Sequence, residues 1–96
     1  MQQPSVLIVD DDELLARAYE NFLEVLDCDI ELAFTGQEAY SRVAARKPDV
    51  ILLDLLLPDC NGQEILEQIH SRYAAVDIVI ITTESSAEPA LQAIKS

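Results

Sequence analysis

The sequence of 96 residues carries eighteen acidic and six basic side chains, which give it a formal net charge of −12 at pH 7. This acidic balance opposes direct binding to nucleic acid or to an anionic membrane surface, and it favours a metal cation or a basic partner. Hydrophobic residues make up 50% of the chain and charged residues 25%, a composition that suits one folded domain and excludes a disordered tail.

The apolar segments are too short to cross a membrane. The longest of them is about the length of a strand and is interrupted by Asp54, whereas a membrane-spanning helix needs about twenty apolar residues. The first ten residues also lack the basic region and the apolar core of a signal peptide. We therefore expect a cytoplasmic protein with no membrane partner.

The first predicted strand spans residues 5–10, Ser-Val-Leu-Ile-Val-Asp, and an acidic run follows it as far as Glu13. An amphipathic helix is predicted over about residues 12–26, with Asp12 placed as its N-cap. The apolar positions that recur at helical spacing, and that we expect to face the core, are Leu15, Ala18, Phe22 and Val25.

A second strand is predicted over residues 29–34, where apolar and polar residues alternate enough to indicate a position near the edge of a sheet. We expect it to be the least buried strand. Thr35 and Glu38 have the spacing of a capping box, in which the Thr35 hydroxyl accepts from the Glu38 amide and the Glu38 side chain reaches back. A second helix therefore begins here, and Pro48 ends it after Lys47.

A nearly unbroken apolar run over residues 50–57, which follows Asp49, carries a single carboxylate, Asp54, before the chain turns at a proline and a glycine. Such a run predicts a strand over residues 49–54 that is buried on both faces, with Asp54 at its carboxyl end. Because an unpaired buried charge is costly, Asp54 is expected to have a compensating partner. Asn61 then caps a third helix whose apolar stripe continues to Tyr73.

The last strand is predicted over residues 77–82, which are almost purely β-branched, and a fourth helix runs from a cap at Ser86 to about Lys95. Pro89 then lies in the first turn of that helix, where its missing N–H costs nothing. Strand and helix alternate four times, and the strands are continuously aliphatic. The sequence therefore predicts an α/β fold, a parallel sheet with helices on both faces, whose site lies beyond the carboxyl ends of the strands.

Four polar residues fall at that edge of the predicted sheet: Asp10, Asp11, Asp54 and Thr82. An aspartate at a strand end commonly caps a turn or helix, but the residues after Asp54 are aliphatic and the helix caps lie elsewhere. Carboxylates at this density repel each other unless a cation enters, and they suit Mg²⁺ with room left for phosphate oxygens. A carboxylate held against such a metal can attack phosphorus and form an aspartyl phosphate.

Three separated motifs carry a family resemblance: Val-Asp-Asp-Asp-Glu after the first strand, Asp54 followed by Leu-Pro-Asp-x-x-Gly, and Ile-Ile-Thr at the end of the fourth strand. Together they resemble the receiver domain of a bacterial two-component response regulator. The resemblance implies a flavodoxin-like, doubly wound parallel sheet, here with strand order 2-1-3-4 and four helices, over residues 1–96.

The same resemblance assigns roles to the acidic residues. It implies that Asp54 is the phosphoacceptor and that Asp11 and Asp54 are direct ligands of Mg²⁺ or Mn²⁺. Asp10 would support the metal through water, and the backbone carbonyl of Leu56 would supply a further ligand. Asp12 is expected to be a helix cap rather than a ligand.

The resemblance also implies a switch. The Thr82 hydroxyl would bond the phosphoryl group and move with it, although a threonine in a strand is ordinarily only a β-former. Leu56, Thr83 and Glu84 would tune the lifetime of the phosphorylated state.

The family has a fifth strand and a fifth helix, which this sequence does not contain, and no lysine can be matched to the one that contacts the phosphoryl group. We therefore expect an exposed fourth-strand edge with Ile78, Val79, Ile80 and Ile81 uncovered. We expect the chain to compensate by self-association or strand exchange through this edge, or else to be marginally stable. The leading hypothesis is a non-enzymatic module that accepts a phosphoryl group on Asp54 from a sensor histidine kinase or phosphotransfer protein and acts on an output domain outside this chain.

The alternative hypothesis is an interaction module that binds a kinase or another regulator independently of phosphorylation. Two other classes are disfavoured. A phosphohydrolase with an aspartyl nucleophile typically needs a second Asp where Leu56 stands, and a flavodoxin-like nucleotide site would be repelled by the acidic run that begins at Asp10.

Overall fold

The computed structural model describes residues 3–59 and 61–81. Within these ranges the elements are β1 (Ser5–Val9), α1 (Glu13–Glu24), β2 (Asp29–Ala33), α2 (Gly36–Ala45), β3 (Val50–Asp54), α3 (Gly62–Arg72) and β4 (Asp77–Ile81). All the strands pair in parallel in the order β2-β1-β3-β4, so the predicted fold class and strand order are confirmed. The predicted fourth helix lies outside the described residues.

The sheet has a core on each face because the side chains of β1 alternate between two apolar environments. Leu7 and Val9 join the larger core, which contains buried residues of β3, α2 and α3. Val6 and Ile8 face the other way and pack with Ala16 of α1. The helices therefore cover both faces, which is the arrangement that the continuous aliphatic strands predict.

The buried face of α1 differs from the predicted one. Asp12 caps the helix as expected, accepting from the Leu15 amide at 3.2 Å. The row that packs on the sheet, however, runs through Ala16, Tyr19 and Leu23, and Phe22 is 72% exposed. The residues of the predicted apolar face are half-buried or exposed: Leu15, Ala18, Phe22 and Val25. Two apolar rows on this helix have equivalent spacing, and the small Ala16 lets its own row approach the sheet.

The start of α2 follows the capping prediction with one shift. The Thr35 hydroxyl accepts from the Glu38 amide at 3.1 Å. The Glu38 carboxylate accepts from the Phe34 amide at 2.9 Å, one residue before the cap. The helix ends at Ala45, slightly before the predicted end, and the backbone of Arg46 is already extended.

Burial at the two edges of the described sheet also differs from expectation. The edge strand β2 is half-buried and is covered by two ion pairs, Arg42 of α2 to Glu31 at 3.3 Å and Arg46, the C-cap of α2, to Asp29 at 2.6 Å. The least buried strand is β4, so the prediction for β2 is wrong. Only part of β4 is uncovered, because Ile80 packs into the larger core while Val79 stays exposed. None of the helices in the described part of the chain combines the length and apolar composition needed to span a bilayer.

Candidate functional site

Three aspartates meet at the carboxyl edge of the sheet. Asp10 and Asp11 directly follow β1, and Asp54 is the last residue of β3. Because β1 and β3 are neighbours in parallel register, with Val9 opposite Leu53, their ends bring these side chains together. One carboxylate oxygen from each lies within 4.8 Å of the others. The structure thus assembles the acidic part of the predicted site.

Burial makes this cluster electrostatically costly. Asp10 is 1% exposed and Asp54 is 3% exposed, whereas Asp11 faces solvent. Burial is the largest cause that raises the pKa of Asp10, from 3.8 to about 6, and the Asp12 amide, which donates to Asp10 Oδ1 at 2.9 Å, acts in the opposite direction. The charges of Asp54 and Asp11 and a hydrogen bond with Asp54 raise this pKa further.

This donor set fits a hard divalent cation. Mg²⁺ is typically held by one or two carboxylates and keeps several water ligands. The aspartate cluster can supply the carboxylates, and its solvent-facing side at Asp11 leaves room for the water ligands. A cation among these oxygens would also offset the repulsion that raises the Asp10 pKa. The family resemblance implies that Asp11 and Asp54 would hold it directly and Asp10 through water, and these separate roles stay predictions.

The Asp10 shift predicts a pH dependence of stability in the metal-free protein. Between about pH 4 and pH 6 the folded state keeps the Asp10 proton more tightly than the unfolded chain, so rising pH removes stability through this group. Asp10→Asn cannot titrate. Going from pH 4 to pH 7, we expect the wild-type free energy of unfolding to fall by on the order of 2 kcal/mol relative to that of Asp10→Asn.

Urea denaturation of both proteins at the two pH values, in a buffer containing a chelator, measures this difference. A difference that stays constant, or that grows in favour of the wild type as the pH rises, would contradict the prediction.

The loop between β3 and α3 orients Asp54. The Leu56 amide donates to Asp54 Oδ1 at 3.0 Å, and Leu56 forms an antiparallel bridge with Asn61. The Gly62 amide donates to the Leu55 carbonyl at 3.1 Å, which closes the base of the loop. The Asn61 side chain caps α3 as predicted but accepts from the Gln63 amide, at 2.8 Å. The metal-binding role of the Leu56 carbonyl stays a prediction.

Two residues, one in this loop and one at the start of α3, have roles that sequence reasoning missed. A Cβ built on Gly62 would lie 2.3 Å from the Leu55 Cα, so only glycine fits at this position. The Asp59 carboxylate accepts from the Gly36 and Gln37 amides at 2.8 and 3.1 Å. The sequence signal for Gly62 was its place in the recognised motif, but no local pattern could reveal a partner of Asp59 that is more than twenty residues away.

The predicted switch and tuning residues Thr82, Thr83 and Glu84 lie outside the described residues, so their roles stay predictions.

The fold and the aspartate cluster agree with a comparison against protein families. The family model described as the response regulator receiver domain matches residues 6–96. The chain belongs to this family.

Curated relatives include longer regulatory proteins. The regulatory protein LuxO of Vibrio cholerae is 36% identical over 88 residues, which are 92% of this chain and 19% of LuxO. The response regulator ArlR of Staphylococcus saprophyticus is 39% identical over 80 residues, which are 83% of this chain and 36% of ArlR. This chain therefore spans about a fifth to somewhat over a third of the length of these two relatives.

Solved structures extend the similarity to the backbone. The signal receiver domain of a LuxO repressor protein from Vibrio parahaemolyticus superposes with a TM-score of 0.88 at 32% identity, covering 98% of this chain and 72% of that chain. A response regulator from Burkholderia pseudomallei, solved with a phosphorylated aspartic acid, a calcium ion and citrate, gives a TM-score of 0.86 at 26% identity. That match covers 97% of this chain and 55% of the other.

Proposed function

We propose that Asp54 accepts a phosphoryl group from the phosphohistidine of a sensor kinase or phosphotransfer protein, in a reaction that depends on Mg²⁺ or Mn²⁺. The observation that carries this proposal is a nearly buried carboxylate at the end of β3, with oxygens of Asp10 and Asp11 within 4.8 Å of it. Membership of the receiver family supports it, as does the Burkholderia relative, which was solved with a phosphorylated aspartic acid and a calcium ion.

The chemistry assigned to this chain is nucleophilic attack by a carboxylate. An Asp54 oxygen forms a bond to phosphorus while the bond between phosphorus and the imidazole nitrogen breaks, and that nitrogen keeps the electron pair. The Leu56 amide, bonded to Asp54 Oδ1, fixes the orientation of the carboxylate. When bound, the divalent cation supplies charge neutralisation for the transferring phosphoryl oxygens.

The remaining roles extend this proposal. Thr82 would bond the phosphoryl group and act as the switch, and Leu56, Thr83 and Glu84 would influence how long the group persists. Leu56 is 50% exposed beside the acceptor, where its side chain can limit access of water. Because the proposed reaction transfers the phosphoryl group to Asp54 of the protein itself, we propose a signalling domain rather than an enzyme.

The partners follow from the class of protein. Because this chain spans only part of its curated relatives, we propose that its output is carried by a further domain and that regulation of transcription is the outcome, as the name of the relative CrdR of Helicobacter pylori, a transcriptional regulatory protein, suggests. A cytoplasmic location suits contact with a kinase. Self-association through β4, where Val79 is exposed, is a second mode of partnership.

Intact-mass measurement after incubation with a small phosphodonor tests the proposal. With Mg²⁺ we expect a gain equal to one phosphoryl group, and with the metal chelated we expect none. A protein that binds Mg²⁺ and yet gains no mass from the small donor or from a phosphorylated kinase would contradict the proposal and favour the phosphorylation-independent interaction module.

A further inference from the structure

We propose that Asp59 is a positioning residue that fastens the acceptor loop, of which residues 55–59 and 61 are described, to the first turn of α2 and thereby holds Leu56 against Asp54. The anchoring of the loop by Asp59 is argued from the geometry alone, whereas its consequence for metal binding and phosphoryl transfer rests on the proposed function. The role we propose for Asp59 is indirect. It acts through the loop.

The evidence is a bidentate contact between distant parts of the chain. One Asp59 carboxylate oxygen accepts from the Gly36 amide at 2.8 Å and the other accepts from the Gln37 amide at 3.1 Å. Hydrogen bonds from backbone amides to a carboxylate at a helix N-terminus are stronger than neutral ones, because the carboxylate is charged and the helix dipole adds to the attraction.

The contact completes the capping of α2. The first amides of a helix have no partner within it, and Thr35 satisfies only the amide of Glu38. Asp59 supplies acceptors for the two amides before Glu38, those of Gly36 and Gln37. The helix thus takes part of its N-cap from the loop that orients the phosphoacceptor.

The same contact restrains the loop at a point remote from its base. Near the base, the loop is closed by the Gly62 amide on the Leu55 carbonyl and by the bridge between Leu56 and Asn61. These contacts fix where the loop leaves and rejoins the fold. The Asp59 contact with α2 adds a second anchor, so its loss should let the loop open and should weaken the bond between the Leu56 amide and Asp54.

Hydrogen exchange in the metal-free protein tests this arrangement. The marker amides are those of Leu56 and Gly62, which are bonded only while the loop is closed. In Asp59→Ala we expect both to exchange about tenfold faster than in the wild type, the change expected when a charge-assisted hydrogen bond is lost. Asp59→Asn, which keeps one acceptor oxygen, should fall between the two and serves as the test if the alanine variant folds poorly.

Thr35→Ala is the matched control. It removes the other side-chain cap of the same helix, and the Thr35 hydroxyl forms no hydrogen bond with the described residues of the loop, so it reports what loss of capping alone does. We expect it to leave exchange at Leu56 and Gly62 within about twofold of the wild type. Equal acceleration in Asp59→Ala and Thr35→Ala, or no acceleration in either Asp59 variant, would overturn the proposal.

Binding of Mn²⁺, followed by the paramagnetic resonance signal of the free ion, connects the anchor to the site. We expect affinity to fall by about three- to tenfold in Asp59→Ala and to stay unchanged in Thr35→Ala. Faster exchange at the loop with unchanged Mn²⁺ affinity would contradict the claim that the Asp59 anchor affects the metal site. A wild-type protein that binds no Mn²⁺ would instead count against the proposed function, and the exchange result would still decide the role of Asp59.

Discussion

Replacing Asp54 by asparagine should abolish the phosphoryl adduct and at the same time stabilise the metal-free fold. Asparagine has nearly the same shape but no carboxylate to attack phosphorus. It also removes one negative charge from a cluster that burial and mutual repulsion already make costly, as the raised pKa of Asp10 shows. We expect a complete loss of mass gain with the phosphodonor and a rise of about 1 kcal/mol in the free energy of unfolding at neutral pH.

Asp12→Asn is the control for this experiment. Asp12 neighbours the cluster in sequence but is exposed, and its side chain caps α1, a role in which asparagine serves equally well. This variant should keep the adduct, and its stability should stay within about 0.5 kcal/mol of the wild type. A persistent adduct in Asp54→Asn would show that another group is the acceptor.

The second large effect is expected at Gly62. Its backbone needs no conformation special to glycine, since no glycine among the described residues has a positive φ. Its requirement is space, because an added Cβ would lie 2.3 Å from the Leu55 Cα and 2.7 Å from the Leu55 carbonyl oxygen. Backbone atoms cannot move aside as a flexible side chain can, so Gly62→Ala should lower the free energy of unfolding by about 2 to 4 kcal/mol.

The sign of this effect is informative because helix propensity acts the other way. Alanine inside a helix is favoured over glycine by about 1 kcal/mol, so a Gly62→Ala protein that is more stable than the wild type would refute the packing explanation. Glu64→Ala, at an exposed position in the same turn of α3, should change stability by less than about 0.5 kcal/mol. Urea denaturation of the three proteins makes the comparison.

Part of this site could be predicted because it depends on the sheet alone. Aliphatic strands of parallel type place their carboxyl ends at one edge, so Asp10, Asp11 and Asp54 had to converge once the strand order was known. The cap at Asp12 is similarly local, since it depends on residues within one turn. Features that follow from local residue patterns, or from the regular geometry of a parallel sheet, could therefore be predicted from the sequence.

Features that depend on side-chain packing between distant segments could not be predicted from the sequence. Helix α1 has two apolar rows of equivalent spacing, and only the close approach of Ala16 to the sheet selects the row that is buried. The Asp59 anchor joins segments 22 and 23 residues apart, which no periodicity encodes. The burial of Ile80 depends in the same way on the larger core, which draws residues from β1, β2, β3, α2 and α3.

The central claim is that Asp54 is the residue that takes the phosphoryl group, and chemical mapping tests it most directly. Reduction of the phosphorylated protein with borohydride converts an aspartyl phosphate into homoserine, and tandem mass spectrometry of the peptides then locates the converted residue. We predict conversion at Asp54 alone, and only when Mg²⁺ was present during phosphorylation. Conversion at Asp10 or Asp11, or conversion at Asp54 that is unaffected by removal of the metal, would contradict the claim.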